Sequence, residues 1–150
     1  MLVLLVAFSV YSLTNSDPLV MVGDNVTIEY VGSISDHVFN TNIVNFTVGQ
    51  EQVIRGIDNG VLGMRLGEIK NITVPPELGF GAYDEMIVYE VPFELFETHN
   101  QSLPAVGQEV DLNNALGVVI GYTNDSIVID TNHPLAGETI NLSLKVLSIN

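Results

Sequence analysis

A helical pattern, a turn, a strand pattern and a proline stop follow one another between residues 53 and 81, and this order constrains the fold most. Apolar residues repeat at helical spacing over 51–62, so one face of a short helix would be buried. After a glycine-flanked turn, residues 69–74 alternate between apolar and polar side chains, and Pro75-Pro76 ends that strand. The block predicts one short helix packed on a sheet.

Further strands are predicted on both sides of this block. Residues 25–30 alternate, residues 140–149 form the clearest alternation in the chain, and 46–48 is a shorter candidate. Gly32 is expected to permit a turn after the first strand. Several antiparallel strands around one short helix make an α+β domain.

The pattern changes character over residues 84–130, where short apolar segments alternate with Asn-rich turns. Strands are predicted there at 106–112, 117–122 and 126–130. We interpret this stretch as a small β-rich insert in the last loop of the parent domain. The predicted organisation is an N-terminal segment 1–19, a discontinuous domain 20–83 and 131–150, and the insert 84–130.

The N-terminal segment has the apolar character of a targeting sequence. Residues 2–13 carry no charge and are too short for a membrane span of about 20 residues, which indicates a signal peptide or an N-terminal anchor. Asn-x-Ser/Thr triplets, the acceptor pattern for N-glycosylation, occur six times where chance gives about two, although Asn-rich strands ending in Thr or Ser also produce them. An extracytoplasmic protein, secreted or membrane-anchored, is expected. A start of translation at Met21 would instead give a cytoplasmic protein.

Composition excludes several classes of function. Four basic residues stand against eighteen acidic ones, which excludes nucleic-acid binding because contacts to phosphates need Lys and Arg. There is no cysteine and the three His residues lie far apart, so neither a thiolate nucleophile nor a metal centre is expected. The carboxylates between 84 and 97 lack the spacing of a calcium loop and are interpreted as a solvated face. No cofactor is expected.

Two motifs carry a family resemblance. The block over 53–81, which ends in Pro-Pro-Glu-x-x-(aromatic)-Gly, and the segment Asn-His-Pro-Leu-Ala-Gly at 132–137 together resemble the FKBP-type peptidyl-prolyl cis/trans isomerases. An insert at this place is similar to the SlyD-like branch, in which an insert-in-flap domain captures unfolded chains. The likeness covers residues 23–149. It implies an antiparallel sheet wrapped around one short helix, isomerase and chaperone activity, and unfolded or proline-containing polypeptides as partners. The sequence leaves the oligomeric state open, and a monomer is favoured.

The resemblance also implies a proline-binding pocket, in which the backbone N–H of Ile54 holds the substrate carbonyl. The residues that match the family's pocket are Tyr30, Phe39, Asn40, Val53, Ile54, Ile57, Phe80 and Leu142. Contacts to the client chain are expected from Val44, Tyr83, Met86, Val88, Phe93 and Phe96. The apolar members of both sets would also suit the core of any small β-rich domain.

Three departures from the family's pattern point towards a weaker pocket. Asn40 replaces the usual Asp, Phe80 replaces a Tyr whose hydroxyl would reach the substrate, and Val44 stands where an aromatic is common. Each lost hydrogen bond lowers the rate by less than about tenfold, so several together reduce it further. Three functions stay open: an active isomerase with chaperone activity, a holdase with a decayed pocket that binds unfolded polypeptide through the insert, and a surface glycoprotein with neither activity.

Overall fold

A computed structural model describes residues 17–97 and 102–150, which form antiparallel sheets with few and short helices. The strands and helices, in chain order, are β1 (Asn25–Ile34), β2 (His37–Thr47), α1 (Arg55–Gly60), β3 (Ile69–Val74), β4 (Val88–Pro92), α2 (Phe93–Glu97), β5 (Glu109–Asp111), β6 (Leu116–Tyr122), β7 (Ser126–Asp130) and β8 (Ile140–Ile149). Short 3-10 turns lie at Pro76–Leu78 and Glu85–Ile87. The α+β class expected from the sequence is confirmed.

The first sheet has the strand order β2-β1-β8-β3, and every neighbouring pair is antiparallel. Alternate residues of β1 and β8, such as Ile28 and Leu144, are fully buried on one face. Ile57 of α1 and Phe46 of β2 pack into the same core. Because the last strand lies in the middle of this sheet, chain segments on both sides of residues 84–130 share one core.

The second sheet, in the order β4-β7-β6-β5, is built wholly from residues within 84–130. It has a small core of its own, formed by Val119, Ile127 and Ile129. A separate core is what an independently folded insert requires. The division of the chain at the boundaries given above stays a prediction.

Helix α1 is shorter than the helix predicted over 51–62, because the backbone before it is not helical. Glu51 adopts a left-handed conformation (φ 53°), and Ile54 is extended, with φ −58° and ψ 146°. Val53 and Ile54 nevertheless pack against the first core. The helical spacing before residue 55 therefore reflects an irregular loop whose apolar side chains face the same core.

Around the first hairpin, the predicted turn was wrong and the predicted strand was too short. Gly32 lies inside β1, and the chain turns at Ser35, whose φ is 51°. The strand predicted at 46–48 is the end of the eleven-residue β2, most of which is exposed. A strand that is exposed along most of its length has no alternation of burial, so its sequence carries little period-2 signal.

The predicted leader 1–19 lies mostly outside the described residues and stays a prediction. The described chain joins the fold at Leu19, which forms a β-bridge with Arg65. Val20 is 2% exposed, and its N–H donates to the carbonyl of Met64 over 2.9 Å. Across residues 17–97 and 102–150, no helix is long and apolar enough to cross a membrane.

Candidate active site

A cavity of about 260 Å³ opens between the entry to α1, the first two strands and the start of β8. Its lining is mostly aliphatic and aromatic, with two asparagine amides and one phenol as the polar side chains. The lining residues are Tyr30, Phe39, Asn40, Asn42, Val44, Val53, Ile54, Ile57, Phe80, Ile140 and Leu142. We refer to this cavity as the apolar pocket.

All eight residues predicted for the pocket lie in this lining, and so does Val44, which was expected to contact the client chain. Two lining residues, Asn42 and Ile140, were not predicted. Strand alternation could have indicated both, because Asn42 shares a face of β2 with Val44, and Ile140 shares a face of β8 with Leu142. The structure thus brings the predicted set together, while the catalytic role of each member stays a prediction.

A β-bulge carries Phe39 into the apolar pocket. Gly32 pairs with Asn40, and the next residue of β1 pairs with Val38. Phe39 is therefore the extra residue on β2, and a bulge of this kind re-aims the side chain that it carries. Its ring lies directly on Gly32, where an added Cβ would be 2.8 Å from the ring carbon Cζ. Any side chain at Gly32 would displace this wall of the pocket.

Ile54 and Ile57 line the helix side of the pocket. Ile54 stands one residue before α1 in an extended conformation, and within the described residues its N–H donates to no protein acceptor. The loop that leads to the helix is tied down by Asp58, whose Oδ1 accepts the N–H of Gly49 over 2.8 Å. Because Asp58 is only 7% exposed, this bond fixes how the chain enters the pocket.

Two contacts hold rings in the walls of the pocket. The side-chain N–H of Asn40 donates to the hydroxyl of Tyr30 over 2.9 Å. The ring of Phe80 stacks on the imidazole of His133, which in turn accepts the N–H of Leu135 at Nδ1. Each of these two rings is thus oriented by a polar side chain that is itself exposed.

Among the described residues, none that lines the pocket carries a carboxylate, ammonium or imidazole group. The pocket can therefore bury an apolar ring and offer hydrogen bonds, while its side chains are unsuited to acid–base or nucleophilic steps at neutral pH. Elsewhere in the described part of the chain, no three His, Asp or Glu side chains come together in a way that could hold a metal ion.

Asn132 holds the junction between the two sheets. Its side chain bonds both the N–H and the carbonyl of Asp84, and its backbone and side-chain N–H groups donate to Asp130 over 2.8 Å. Burial alone would raise the pKa of Asp130, but hydrogen bonds from Asn132 and Tyr83 hold that pKa below its usual value. The pKa of Tyr83 is raised, mainly because its phenol is desolvated. The hydrogen bond to Asp130 and the negative charges of Asp130 and Glu85 raise it further. The junction therefore favours an ionised Asp130 beside a neutral phenol.

The other residues expected to contact the client chain lie outside the apolar pocket. Met86 is the most exposed of them, at 83%, and Tyr83 is exposed as well. Val88 is half-buried in β4. Phe93 and Phe96 pack against the core of the second sheet, so much of their surface is already in contact with the protein. The set therefore divides into an exposed pair, the half-buried Val88, and a pair that supports the second sheet.

Comparisons with known proteins point to one family. The family model described as FKBP-type peptidyl-prolyl cis-trans isomerase matches residues 18–111. A short-type peptidyl-prolyl cis-trans isomerase of Methanocaldococcus jannaschii is 30% identical over 149 residues, covering 87% of this chain and 94% of the relative. The FKBP-type isomerase SlyD of Helicobacter pylori is 32% identical over 119 residues, covering 75% of this chain and 64% of the relative. An FKBP-type 16 kDa isomerase of Escherichia coli is 28% identical over 108 residues, covering 70% of this chain and 72% of the relative.

Proposed function

The chain belongs to the family of FKBP-type peptidyl-prolyl cis-trans isomerases, and we propose that the apolar pocket accelerates cis/trans isomerisation of X-Pro bonds in polypeptide chains. One observation carries this proposal: residues scattered between positions 30 and 142 meet in a single cavity of about 260 Å³. Its apolar lining suits a proline ring, and its few polar groups suit the flanking peptide bonds.

The mechanism that such a lining supports is preferential binding of the twisted amide. Rotation about an X-Pro bond has a barrier of about 18–20 kcal/mol because twisting removes the resonance of the C–N bond. No proton needs to move and no covalent bond needs to break. A pocket lowers the barrier if it binds the twisted amide more tightly than either planar form. Removal of water acts in the same direction, since the planar amide is the more polar state.

We assign different parts of this mechanism to different residues. Val53, Ile57 and Leu142 supply the apolar surface against which the proline ring packs. Phe39 stands as the wall of the pocket and excludes water from the bound ring. The N–H of Ile54, which has no protein acceptor within the described residues, holds a substrate carbonyl oxygen.

We further propose that the second sheet binds unfolded polypeptide, which would add chaperone activity. Strand β4 lies at the edge of this sheet, so its outer backbone groups are open to an added extended chain. A groove of about 330 Å³ runs beside it, and its apolar lining includes Tyr89, Val91, Leu95 and Leu112. The net charge of −14 favours clients that carry Lys or Arg.

The alternative is a holdase whose pocket is weak or inactive. Phe80 favours this alternative, because it brings no hydroxyl to the pocket, and so does Met86, which exposes 83% of its surface at the second sheet. Under this alternative the first sheet would serve mainly to carry the second one.

Two assays on the full chain test the proposal: cis/trans exchange of an X-Pro peptide by NMR, and refolding of a protein whose folding is limited by proline isomerisation. We expect the wild type to accelerate both. Val53→Trp places an indole in the pocket and should abolish the acceleration, whereas Leu62→Trp adds the same ring at an exposed position outside it. Ile54→Pro removes the free N–H at a residue whose φ of −58° suits proline, and should lower the rate.

The same assays separate the two candidate functions. The isomerase proposal would be overturned in favour of the holdase by two results together. The wild type would leave both X-Pro exchange and refolding at their uncatalysed rates, and it would still suppress aggregation of an unfolded client. In that case the double variant Met86→Ser/Leu95→Ser should reduce the suppression, because it removes exposed apolar surface on either side of strand β4.

We also propose an extracytoplasmic location, either secreted or tethered to a membrane through the N-terminal segment. The support is the uncharged apolar stretch 2–13 and the six Asn-x-Ser/Thr triplets. Protease accessibility on intact cells that express the full chain tests it, with Leu5→Arg as the variant that interrupts the apolar stretch. An inaccessible wild type whose N-terminal residue is Met21 would support the cytoplasmic alternative instead.

A further inference from the structure

The hydrogen bond between Asn40 and Tyr30 lies in the lining of the apolar pocket. Tyr30 is on β1 and Asn40 on β2, next to the bulge at Phe39. The Nδ2 of Asn40 donates to the hydroxyl oxygen of Tyr30 over 2.9 Å. Within the described residues the Tyr30 hydroxyl has no acceptor of its own, so its proton is not used by the protein.

The direction of this bond depends on which side chain stands at position 40. A phenol has one O–H, which can donate one hydrogen bond while its oxygen accepts another. An asparagine amide can donate a hydrogen bond to that oxygen. An ionised carboxylate can only accept, so the phenol O–H would donate its hydrogen bond to the carboxylate. With Asn40 as the donor, the proton of Tyr30 stays available to a ligand.

Phe80 is the second departure from the family's pattern in the pocket, and it leaves a need for the hydroxyl proton of Tyr30. Phe80 lines the wall without a hydroxyl, so the pocket lacks a donor where the resemblance implies one. We propose that Asn40 sets the direction of the bond so that Tyr30 donates its hydroxyl proton to a carbonyl oxygen of the bound X-Pro segment. Asn40 is then a positioning residue, and Tyr30 replaces the donor that is missing at Phe80. This inference rests on the proposed function of the pocket.

The proposal predicts that restoring an acidic residue harms the enzyme. In Asn40→Asp the carboxylate accepts the hydrogen bond from the Tyr30 O–H, so this O–H can no longer donate to the substrate. One hydrogen bond is worth about 1 kcal/mol, so kcat/KM for X-Pro exchange and the affinity for the same peptide should each fall about fivefold. Tyr30→Phe should cause a similar loss, and the double variant should lose no more than Tyr30→Phe alone.

The experiment uses the full chain and an uncharged X-Pro peptide, and it measures exchange and binding by NMR. Asn42→Asp adds the same charge to the same lining at the residue that pairs with Tyr30 across the two strands. The Asn42 side chain accepts the N–H of Ile43 and, within the described residues, makes no hydrogen bond to the Tyr30 hydroxyl. The effect of this variant measures the charge alone. A thermal unfolding curve for each variant separates loss of function from loss of fold.

The outcomes divide cleanly. A loss in Asn40→Asp that exceeds the loss in Asn42→Asp, and that disappears in the Tyr30→Phe background, supports the proposal. Equal or higher activity of Asn40→Asp, or additive losses in the double variant, would overturn it. If the wild type binds the peptide without accelerating exchange, the proposed isomerase function fails, and the affinities of the same variants still decide the role of Asn40. A wild type that does not bind the peptide overturns both.

Discussion

The imidazole of His133 lies parallel to the ring of Phe80, with the ring centroids 4.4 Å apart and the planes inclined by 7°. Phe80 lines the apolar pocket, whereas His133 belongs to the segment that leads back from the second sheet. The residue before it, Asn132, bonds Asp84 and Asp130 at the junction between the sheets. The stack therefore joins a wall of the pocket to the base of the second sheet.

Loss of this stack should loosen the wall and weaken binding of the substrate. A stacked aromatic pair contributes about 0.5–1.5 kcal/mol beyond the area it buries. In His133→Ala we expect kcat/KM for X-Pro exchange to fall about two- to tenfold, mainly through KM. His133→Phe keeps the stack and should retain most of the activity, and His37→Ala removes an exposed histidine that lies outside the pocket lining. Equal losses in His133→Ala and His133→Phe would argue against the stack as the cause.

How well each strand could be predicted depended on how it is buried. Strands β3 and β8 have the bounds that the alternation indicated, because each has one face against the core. Most of β2 was missed, because it is exposed from His37 to Ile43 and its sequence has no alternation over that stretch. The helix was predicted too long, because its apolar spacing continues into a loop that the left-handed Glu51 interrupts.

The apolar pocket itself was predictable only through the resemblance to a family. Its residues come from β1, β2, β8, α1 with the loop before it, and Phe80 after the 3-10 turn, and nothing in the local pattern of any one segment indicates that they meet. The position of Phe39 depends on a bulge, which is a property of the register between two strands. Register is set by pairing over the whole sheet and cannot be read from either strand alone.

Strand register also accounts for four of the six Asn-x-Ser/Thr triplets. In both the β1–β2 pair and the β3–β8 pair, the Asn of one triplet lies opposite the Ser or Thr of the other, and the middle residues face inwards. The opposed residues are Asn25 with Thr47, Asn45 with Thr27, Asn71 with Ser143, and Asn141 with Thr73. Polar pairing across an exposed sheet face is thus sufficient to produce these triplets. Glycosylation at any of them stays a prediction.

Asp58 should stabilise the folded protein because its side-chain oxygen accepts a backbone hydrogen bond. Its Oδ1 binds the N–H of Gly49 in a partly buried position. Asp58→Ala leaves that N–H without a partner and should lower the free energy of unfolding by about 1–3 kcal/mol. Asp58→Asn keeps an acceptor oxygen and should lower it by less. Urea unfolding of both variants checks this order, with Asp36→Ala in the exposed hairpin turn as the control. Equal losses for the two Asp58 variants would contradict it.

Asp130 should make the stability of the protein depend on acidity. Its pKa is lowered in the folded protein by hydrogen bonds from Asn132 and Tyr83, which outweigh the effect of burial. A carboxyl with a lowered folded pKa stabilises the fold above its unfolded pKa, near 4, and this contribution disappears as the pH falls through the folded pKa. Asp130→Asn should therefore be less stable than the wild type at pH 7, by about 1 kcal/mol, and the difference should shrink below about pH 4.

Urea unfolding at pH 7 and pH 3 measures this difference. Asp111→Asn removes the same charge from an exposed position of the same sheet and controls for net charge. A deficit of Asp130→Asn that is as large at pH 3 as at pH 7 would show that the effect comes from packing rather than from the ionised carboxylate.

Gly56 should be required for the packing of α1 against β3. It lies in the first turn of α1, where an added Cβ would be 2.4 Å and 2.5 Å from the two Cγ atoms of Val74. Alanine is better than glycine inside a helix by up to about 1 kcal/mol, but overpacking of a core costs about 1–3 kcal/mol. Because valine is branched at Cβ and stiff at χ1, we expect overpacking to win. Gly56→Ala should lower the free energy of unfolding by about 1–2 kcal/mol.

A double variant separates this clash from other effects of the substitution. Val74→Ala removes both Cγ atoms, so Gly56→Ala should lose less stability in that background than in the wild type. Gly60→Ala should be milder, because the closest atom there is the flexible end of Ile72, 2.7 Å away, and Gly121→Ala meets no atom within 4 Å. The free energies of unfolding of the four variants and the double variant give the comparison. If Gly56→Ala stabilises the protein instead, then α1 can move away from β3, and the helix side of the apolar pocket moves with it because Ile57 is the next residue.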